Sequence, residues 1–304
     1  MKSILLLGAS GRLGRSIDQA LAASNVFYYK PSKEELDLSN SQAVIQYLEE
    51  FKTSTVIHSA SNLTSRGRDE SVMKRDAELT QIMDNNVIEA CRIRSTKLLY
   101  ISTSLIYGSP APTKYLESDL DSSKICCGNR VHYASAKKIA TIKIRDLNRD
   151  GLPFSSLVLP NLLAGPIPGR KRMDHLCERL INLVVQSYKE NLNTIAFDIA
   201  QNPNLQMLSS KEVSHWITRN LDTQLPGIIN MTSLYSISPS QLLLEIIAAM
   251  ELDIQVIFNG IAVNDQSIWL SDTLGRTKYA WEGGLSAKIS IADWISELRK
   301  DELL

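Results

Sequence analysis

Tyr133 and Lys137 stand four residues apart in Tyr133-Ala134-Ser135-Ala136-Lys137. On a helix that spacing puts both side chains on one face, about one turn apart. An ammonium beside a phenol favours the phenolate, so such a tyrosine can give up and recover a proton near neutral pH. The same cation can hold a ribose hydroxyl. Taken alone, the pair fits equally a buried tyrosine beside a lysine that reaches for solvent. A third group of suitable chemistry ends the apolar run 97–102, where Ser102, Thr103 and Ser104 precede a turn at Gly108. A hydroxyl at a strand's carboxyl end can donate to a carbonyl oxygen that gains negative charge as hydride arrives. We take Thr103 for that role, with Ser102 and Ser104 as rivals and a plain strand cap as the alternative.

Hydride chemistry needs a donor, and the N-terminus offers a place for one. The apolar run 3–7 leads into Gly8-Ala9-Ser10-Gly11-Arg12-Leu13-Gly14, and a helical pattern follows. Glycine permits the tight turn, the close approach of backbone to a pyrophosphate and close packing of helix on strand. The helix N-terminus then presents N–H groups and partial positive charge to phosphates. A dinucleotide is the expected ligand, with Gly8, Ser10, Gly11, Arg12, Leu13 and Gly14 as its cradle. An NAD site usually carries a carboxylate at the end of the second strand. Here that strand ends Tyr28-Tyr29-Lys30. Arg12 and Lys30 suit the 2′-phosphate of NADP(H), our preferred cofactor. Glu34 and Glu35 close by keep NAD(H) open.

These groups need a scaffold that brings strand ends together. Short apolar runs at 3–7, 26–29, 55–60, 97–102 and 155–159 alternate with helical patterns at 14–23, 41–51, 75–93 and 133–149. Such alternation predicts an α/β fold: a Rossmann-type doubly wound parallel sheet covered on both faces. The pattern loosens after Pro160, where Pro160, Gly165, Pro166, Pro168 and Gly169 punctuate the chain before the basic run Arg170-Lys171-Arg172. Helical patterns return at 174–186, 239–250 and 291–300. We expect a dinucleotide-binding domain over 1–165 and a smaller α/β substrate lobe over 166–304, with some later segments returning to the first domain.

Bulk properties narrow the functional classes. Lys+Arg and Asp+Glu are equal at 33 each, which gives no electrostatic case for nucleic acid or an anionic membrane. The apolar run after Met1-Lys2 is too short for a signal core or a membrane span. Four cysteines (Cys91, Cys126, Cys127 and Cys177) show no metal-ligand spacing and are too few for a disulfide framework, so no metal and a cytoplasmic location are expected.

The glycine spacing GxxGxxG, the YxxxK pair and the hydroxyl strand end occur together in the order found in the short-chain dehydrogenase/reductase superfamily, which the chain resembles. Ser102-Thr103 with Ile106-Tyr107-Gly108, and Pro160-Asn161-Leu162-Leu163-Ala164-Gly165-Pro166, are similar to motifs of its extended branch, the NAD-dependent epimerase/dehydratase family. So is Asp272 with Gly275 and Trp281. The resemblance implies action on nucleotide-linked sugars and a homodimer. It implies that Asp37 meets the adenine and that Ser59 and Ala60, after His58, line the cofactor. His58 itself also fits a strand-end histidine satisfied by backbone. Glu35-Leu36-Asp37-Leu38 with Ala43-Val44 brings the GDP-fucose synthase and 4-keto-deoxysugar reductase groups nearest, and His175 matches an acid/base histidine of the former. Ser104, Asn161, Arg170 and Arg172 are the candidate substrate contacts. Leu105 stands where an epimerase or dehydratase of the branch carries a proton-transfer group, so a carbonyl reductase or epimerase is expected, with simple 4-keto reduction preferred. An oxidoreductase of a non-sugar carbonyl and a non-catalytic NADP-sensing regulator are the alternatives; the presence of both Tyr133 and Lys137 weighs against the last.

Overall fold

A computed structural model describes residues 3–62, 69–108, 114–121, 130–164, 175–200, 202–260, 268–283 and 287–300. The first half alternates as the periodicity requires: β1 (Ser3–Leu7), α1 (Arg12–Ala23), β2 (Tyr28–Tyr29), α2 (Ser41–Glu50), β3 (Thr53–His58), α3 (Glu70–Arg94), β4 (Lys97–Thr103), α4 (Val131–Arg149) and β5 (Phe154–Leu159). There follow β6 (Asn161–Leu163), α5 (Leu176–Lys189), β7 (Thr194–Asp198), β8 (Leu205–Ser209), α6 (Ser210–Arg219), β9 (Ile228–Asn230), β10 (Ser236–Ile237), α7 (Pro239–Ala249), β11 (Gln255–Asn259), α8 (Thr273–Tyr279) and α9 (Ala287–Lys300). They form two compact units. One comprises 1–159, 210–231 and 268–282; the other comprises 160–209, 232–267 and 283–304.

The first unit is built on a six-stranded parallel sheet in the order β2-β1-β3-β4-β5-β9. All five residues of β1 and all six of β5 are buried, as expected of strands covered on both faces. Leu5 and Leu7 of β1 pack with Val44 and Leu48 of α2, Val87 and Ile88 of α3, and Ala140 and Ile144 of α4. By alternation Ile4 and Leu6 point to the other face, and α1 packs against α6, with the Ser16 hydroxyl donating to Ser210 Oγ at 2.8 Å. The chain leaves β1 for β2 on one side and reaches β3 on the other. The order therefore reverses between β1 and β3, and a crevice opens at their carboxyl ends.

Helix α3 starts at Glu70, five residues ahead of the apolar pattern. Asp69 caps it by accepting the Ser71 N–H at 2.7 Å, and Val72 and Met73 are the only apolar residues ahead of Arg75, too few to read as a stripe. The expected helix over 174–186 lies instead at Leu176–Lys189, and the second strand shrinks to Tyr28–Tyr29.

The second unit holds a three-stranded sheet, β10-β8-β6, with β8 parallel to β6 and antiparallel to β10, and a parallel β11-β7 pair. Its core joins Cys177, Leu180 and Val184 of α5 to Leu242, Leu243 and Ile246 of α7 and to Trp294 and Ile295 of α9. Helix α7 opens with a reciprocal cap. The Gln241 N–H donates to Ser238 Oγ, the Ser238 N–H donates to Gln241 Oε1, and Pro239 takes the first helical position. No helix among the described residues is long and apolar enough to cross a membrane.

Candidate active site

The glycine turn lies at the crevice. Gly8 has φ +84°, a region that side chains rarely enter, and a Cβ there would come within 2.5 Å of the Ala60 nitrogen. A Cβ on Gly14 would overlap the Gly8 carbonyl oxygen and lie 2.8 Å from its carbon. Strand and helix thus meet backbone to backbone. The Gly11 N–H donates to Gly8 O at 2.9 Å and closes the turn. No side chain caps the start of α1, and its first turn carries no acid. Ser10 is exposed at the turn, whereas Leu13 is buried, so Leu13 offers a ligand only its backbone. A wall without Cβ atoms beside a helix N-terminus fits a pyrophosphate.

At the end of β2, Lys30 is exposed and pairs with Asp18 Oδ2 at 2.8 Å. The Tyr28 hydroxyl donates to Asp18 Oδ1 at 2.6 Å; burial first, then Asp18, pushes the Tyr28 phenol up to about 12. Asp37 is exposed. Its Oδ1 accepts the Ser39 N–H and hydroxyl at 2.9 and 2.7 Å, which hold its carboxyl below the usual range. The Ser59 hydroxyl donates to Leu7 O at 2.8 Å and so ties β3 to β1, while Ala60 forms the wall against Gly8.

The carboxyl end of β4 carries the hydroxyl cluster. Ser102 is buried with its Oγ 2.7 Å from Thr141 Oγ1, so this rival is committed to α4. Ser104 is buried at the start of a 3-10 turn that runs to Tyr107. Thr103 is half-buried, and its Oγ1 accepts the Leu105 N–H at 3.4 Å, which leaves the hydroxyl proton to donate elsewhere. Below the turn, Tyr107 is fully buried and donates to Asn230 Oδ1 at 2.9 Å. Asn230 Nδ2 donates to Tyr115 O and its backbone N–H to Glu117 Oε1, at 3.1 and 2.8 Å. Burial pushes the Tyr107 phenol up and also raises the Glu117 carboxyl.

Tyr133 and Lys137 lie on α4 as the spacing predicts. Tyr133 is half-buried and Lys137 is buried. The Lys137 ammonium donates to Ile101 O at 3.3 Å, two residues before Thr103, and so stands against the end of β4. It also lies 4.3 Å from the centre of the Tyr100 ring and 3.6 Å from Asp84 Oδ2.

Asp84 was not legible as a site residue. It is 1 % exposed on α3, accepts the Tyr100 hydroxyl at 2.5 Å, and has His58 Nε2 2.9 Å from its Oδ1. Burial drives its carboxyl up, but Lys137, His58 and Tyr100 outweigh burial and hold it below the usual range. His58 therefore packs its Nε2 against a carboxylate, without hydrogen-bond geometry at either ring nitrogen, and is not satisfied by strand-end backbone. One signal was available: Asp84 falls on the buried stripe Ala77, Thr80, Asp84, Val87, Ile88 and Cys91, where an acid needs a partner.

Two candidate substrate residues belong to the second unit. Asn161 starts β6, its Nδ2 donating to Gln206 O at 3.5 Å. His175 stands ahead of α5 as its N-cap, not within the helix, with its backbone N–H donating to Glu178 Oε2 at 3.3 Å. Arg170 and Arg172 lie outside the described residues.

Solved structures share the architecture. A GDP-L-fucose synthetase from Naegleria fowleri superposes with a TM-score of 0.84 at 16% identity, covering 99% of this chain and 94% of that one. A GDP-mannoheptose C4 reductase from Campylobacter jejuni, solved with NADP bound, gives 0.80 at 18% identity over 97% and 98%. A dTDP-4-dehydrorhamnose reductase from Clostridium acetobutylicum gives 0.76 at 18% over 98% and 99%. In sequence, a dTDP-4-dehydrorhamnose reductase from Aggregatibacter actinomycetemcomitans is 26% identical over 127 residues, and this stretch is 40% of the chain and 41% of that enzyme. Residues 4–198 match the NAD dependent epimerase/dehydratase family, and with the glycine turn, the hydroxyl strand end and the Tyr–Lys helix in place, the chain belongs to that family.

Proposed function

We propose that this protein is an NADP(H)-dependent reductase of a 4-keto group on a nucleotide-activated deoxysugar. The observation that carries this reading is the Lys137 ammonium bonded to Ile101 O, which sets the Tyr133 helix against the strand end bearing Thr103. The activities of the reductases named above support the choice of substrate class, and Lys30 beside β2 supports NADP(H) over NAD(H).

In this reading Gly8, Gly11 and Gly14 admit the pyrophosphate, with Ser10, Arg12 and the Leu13 backbone around it. Asp37, Ser59 and Ala60 line the adenosine side. The bound dinucleotide supplies hydride to the carbonyl carbon of the substrate. Thr103 donates a hydrogen bond to the carbonyl oxygen and keeps its proton, and Tyr133 transfers its own proton to that oxygen as charge develops. Lys137 favours the phenolate that remains and holds the ribose. Ser104, Asn161, His175, Arg170 and Arg172 are the proposed substrate contacts. Leu105 carries no exchangeable proton, which favours reduction without epimerisation. We place the protein in the cytoplasm as a homodimer. Helices α3 and α4, which pack side by side, leave Ile82 and Ile139 about half exposed. Light scattering reads the oligomeric state directly.

The test is Tyr133→Phe with a 4-keto nucleotide sugar and NADPH. Loss of general acid catalysis costs about 10²–10⁴ in rate, while NADPH binding, read by fluorescence, is retained. An unchanged rate refutes the assignment, and no turnover by the unaltered protein across dTDP- and GDP-linked 4-keto sugars refutes the substrate class.

A further inference from the structure

The mechanism above leaves one buried charge unused. Asp84 comes from α3, is 1 % exposed, and makes no contact with solvent that would stabilise it. The groups facing it come from three elements: His58 from β3, Tyr100 from β4, and Lys137 from α4, with Tyr133 one turn earlier. Two of these donate hydrogen or stand at hydrogen-bond range, and the third is the ammonium. An unpaired carboxylate or an unpaired lysine at this depth would be expensive; together they offset each other.

We propose that Asp84 is a positioning residue for proton transfer: it is the fixed counter-ion that holds the Lys137 side chain aimed at the end of β4, with the Tyr100 hydroxyl fixing the carboxylate and His58 packed against it. This rests on the function proposed above, because the charge on Lys137 matters only if Tyr133 exchanges a proton. The arrangement explains three features that the cofactor cradle does not need. His58 is a histidine with no exposed surface. The Tyr100 hydroxyl donates to Asp84 of α3. The Tyr100 ring, 4.3 Å from the ammonium, closes the remaining side with its π face.

The consequence is a pH signature. Without a counter-ion, a buried lysine gives up its proton more readily. In Asp84→Asn the alkaline limb of the kcat profile is expected to be displaced from that of the unaltered protein, because the Lys137 ammonium on the Tyr133 helix has lost its counter-ion. Tyr100→Phe keeps the ring and the carboxylate and removes one buried hydrogen bond. It is expected to lower stability while its alkaline limb stays with that of the unaltered protein. Asp84→Glu keeps the charge and is expected to keep the limb in place at reduced kcat, and it carries the comparison if Asp84→Asn is too unstable to purify. A second measurement needs no turnover. In a thermal denaturation cycle, Lys137→Met and Asp84→Asn each lower Tm, and the double variant loses less than the two losses combined.

An Asp84→Asn limb that coincides with the unaltered one, a limb in Tyr100→Phe or Asp84→Glu that moves as far as Asp84→Asn, or additive losses in the cycle overturns the proposal. Absence of turnover by the unaltered protein instead removes the proposed function. Active unaltered protein with coincident limbs removes only the role of Asp84.

Discussion

Gly11 and Gly14 stand three residues apart in one turn, yet the structure assigns them different duties, and alanine at each should separate folding from ligand binding. At Gly14 the added methyl overlaps Gly8 O and lies 2.8 Å from Gly8 C and 2.9 Å from Ala9 Cα. All three obstacles are backbone. Restoring an ordinary contact of 3.4 Å to the Gly8 oxygen, the nearest of the three, requires α1 to retreat from β1 by more than the 0.5 Å that the farthest one, Ala9 Cα, would need. A gap of about 0.5–1 Å forfeits a quarter to a half of each dispersion contact across it, here around Leu13, Ile17 and Leu21, which are buried under α1. Overpacking of this kind costs about 1–3 kcal/mol, and a rigid obstacle puts Gly14→Ala near about 3 kcal/mol. At about 2–4 °C per kcal/mol for a domain of this size, Tm falls by about 6–12 °C. At Gly11, φ is −75° and ψ 170°, open to any residue, and the methyl meets only Gly8 O at 3.2 Å. Gly11→Ala should therefore stay within about 1 kcal/mol of the unaltered stability. It should still lose NADPH affinity by tenfold or more, about 1.4 kcal/mol, because the methyl fills the approach of backbone to phosphate. Differential scanning calorimetry reads the first effect and NADPH fluorescence titration the second. A Gly14→Ala protein that melts with the unaltered one, or a Gly11→Ala protein that binds NADPH with unchanged Kd, refutes the reasoning.

Three further outcomes are expected. Lys30→Ala should raise the Kd for NADPH about tenfold, the worth of one charge-assisted contact of about 1.5 kcal/mol, and leave NADH unaffected; Asp18→Ala, which frees Lys30 from its 2.8 Å partner, should tighten NADPH. Tyr107→Phe leaves Asn230 Oδ1 unpaired at a fully buried site and should cost about 1–3 kcal/mol in chemical denaturation. Burial raises the Glu117 carboxyl above its ordinary 4.5, so the stability it contributes is full below pH 4.5 and lost as pH rises through its folded value. Glu117→Gln keeps an acceptor for the Asn230 N–H and should flatten the decline in stability above pH 4.5; an unchanged slope counts against the burial of that charge.

The central sheet was legible because its strands are buried on both faces. Runs such as Ile4-Leu5-Leu6-Leu7 and Leu98-Leu99-Tyr100-Ile101 have no polar alternation, and amphipathic helices separate them. β9 was not legible, since three residues carry no periodicity and only pairing with β5 makes Ile228–Asn230 a strand. For the site, spacing placed the glycine turn, Tyr133 and Lys137 on the elements where they occur. It could not find Asp84, because the partners of a buried acid come from β3, β4 and α4 and share no local pattern. His58 looked like a lining residue for the same reason: its partner lies across the layer, 26 positions later in the chain. Asn230 is more remote still, bonded to Tyr107 across 123 residues.

That last bond bears on how the chain is made. A ribosome releases Tyr107 long before Asn230, and the sheet's outer strand, β9, arrives with it. Until then β5 exposes a row of unpaired backbone groups along a strand whose last three residues are all apolar, a template for pairing with other chains. A fragment ending near residue 165 would keep that edge permanently open, so expressing the first half alone should yield aggregates, and the nascent polypeptide depends on shielding until residues 228–230 close the sheet.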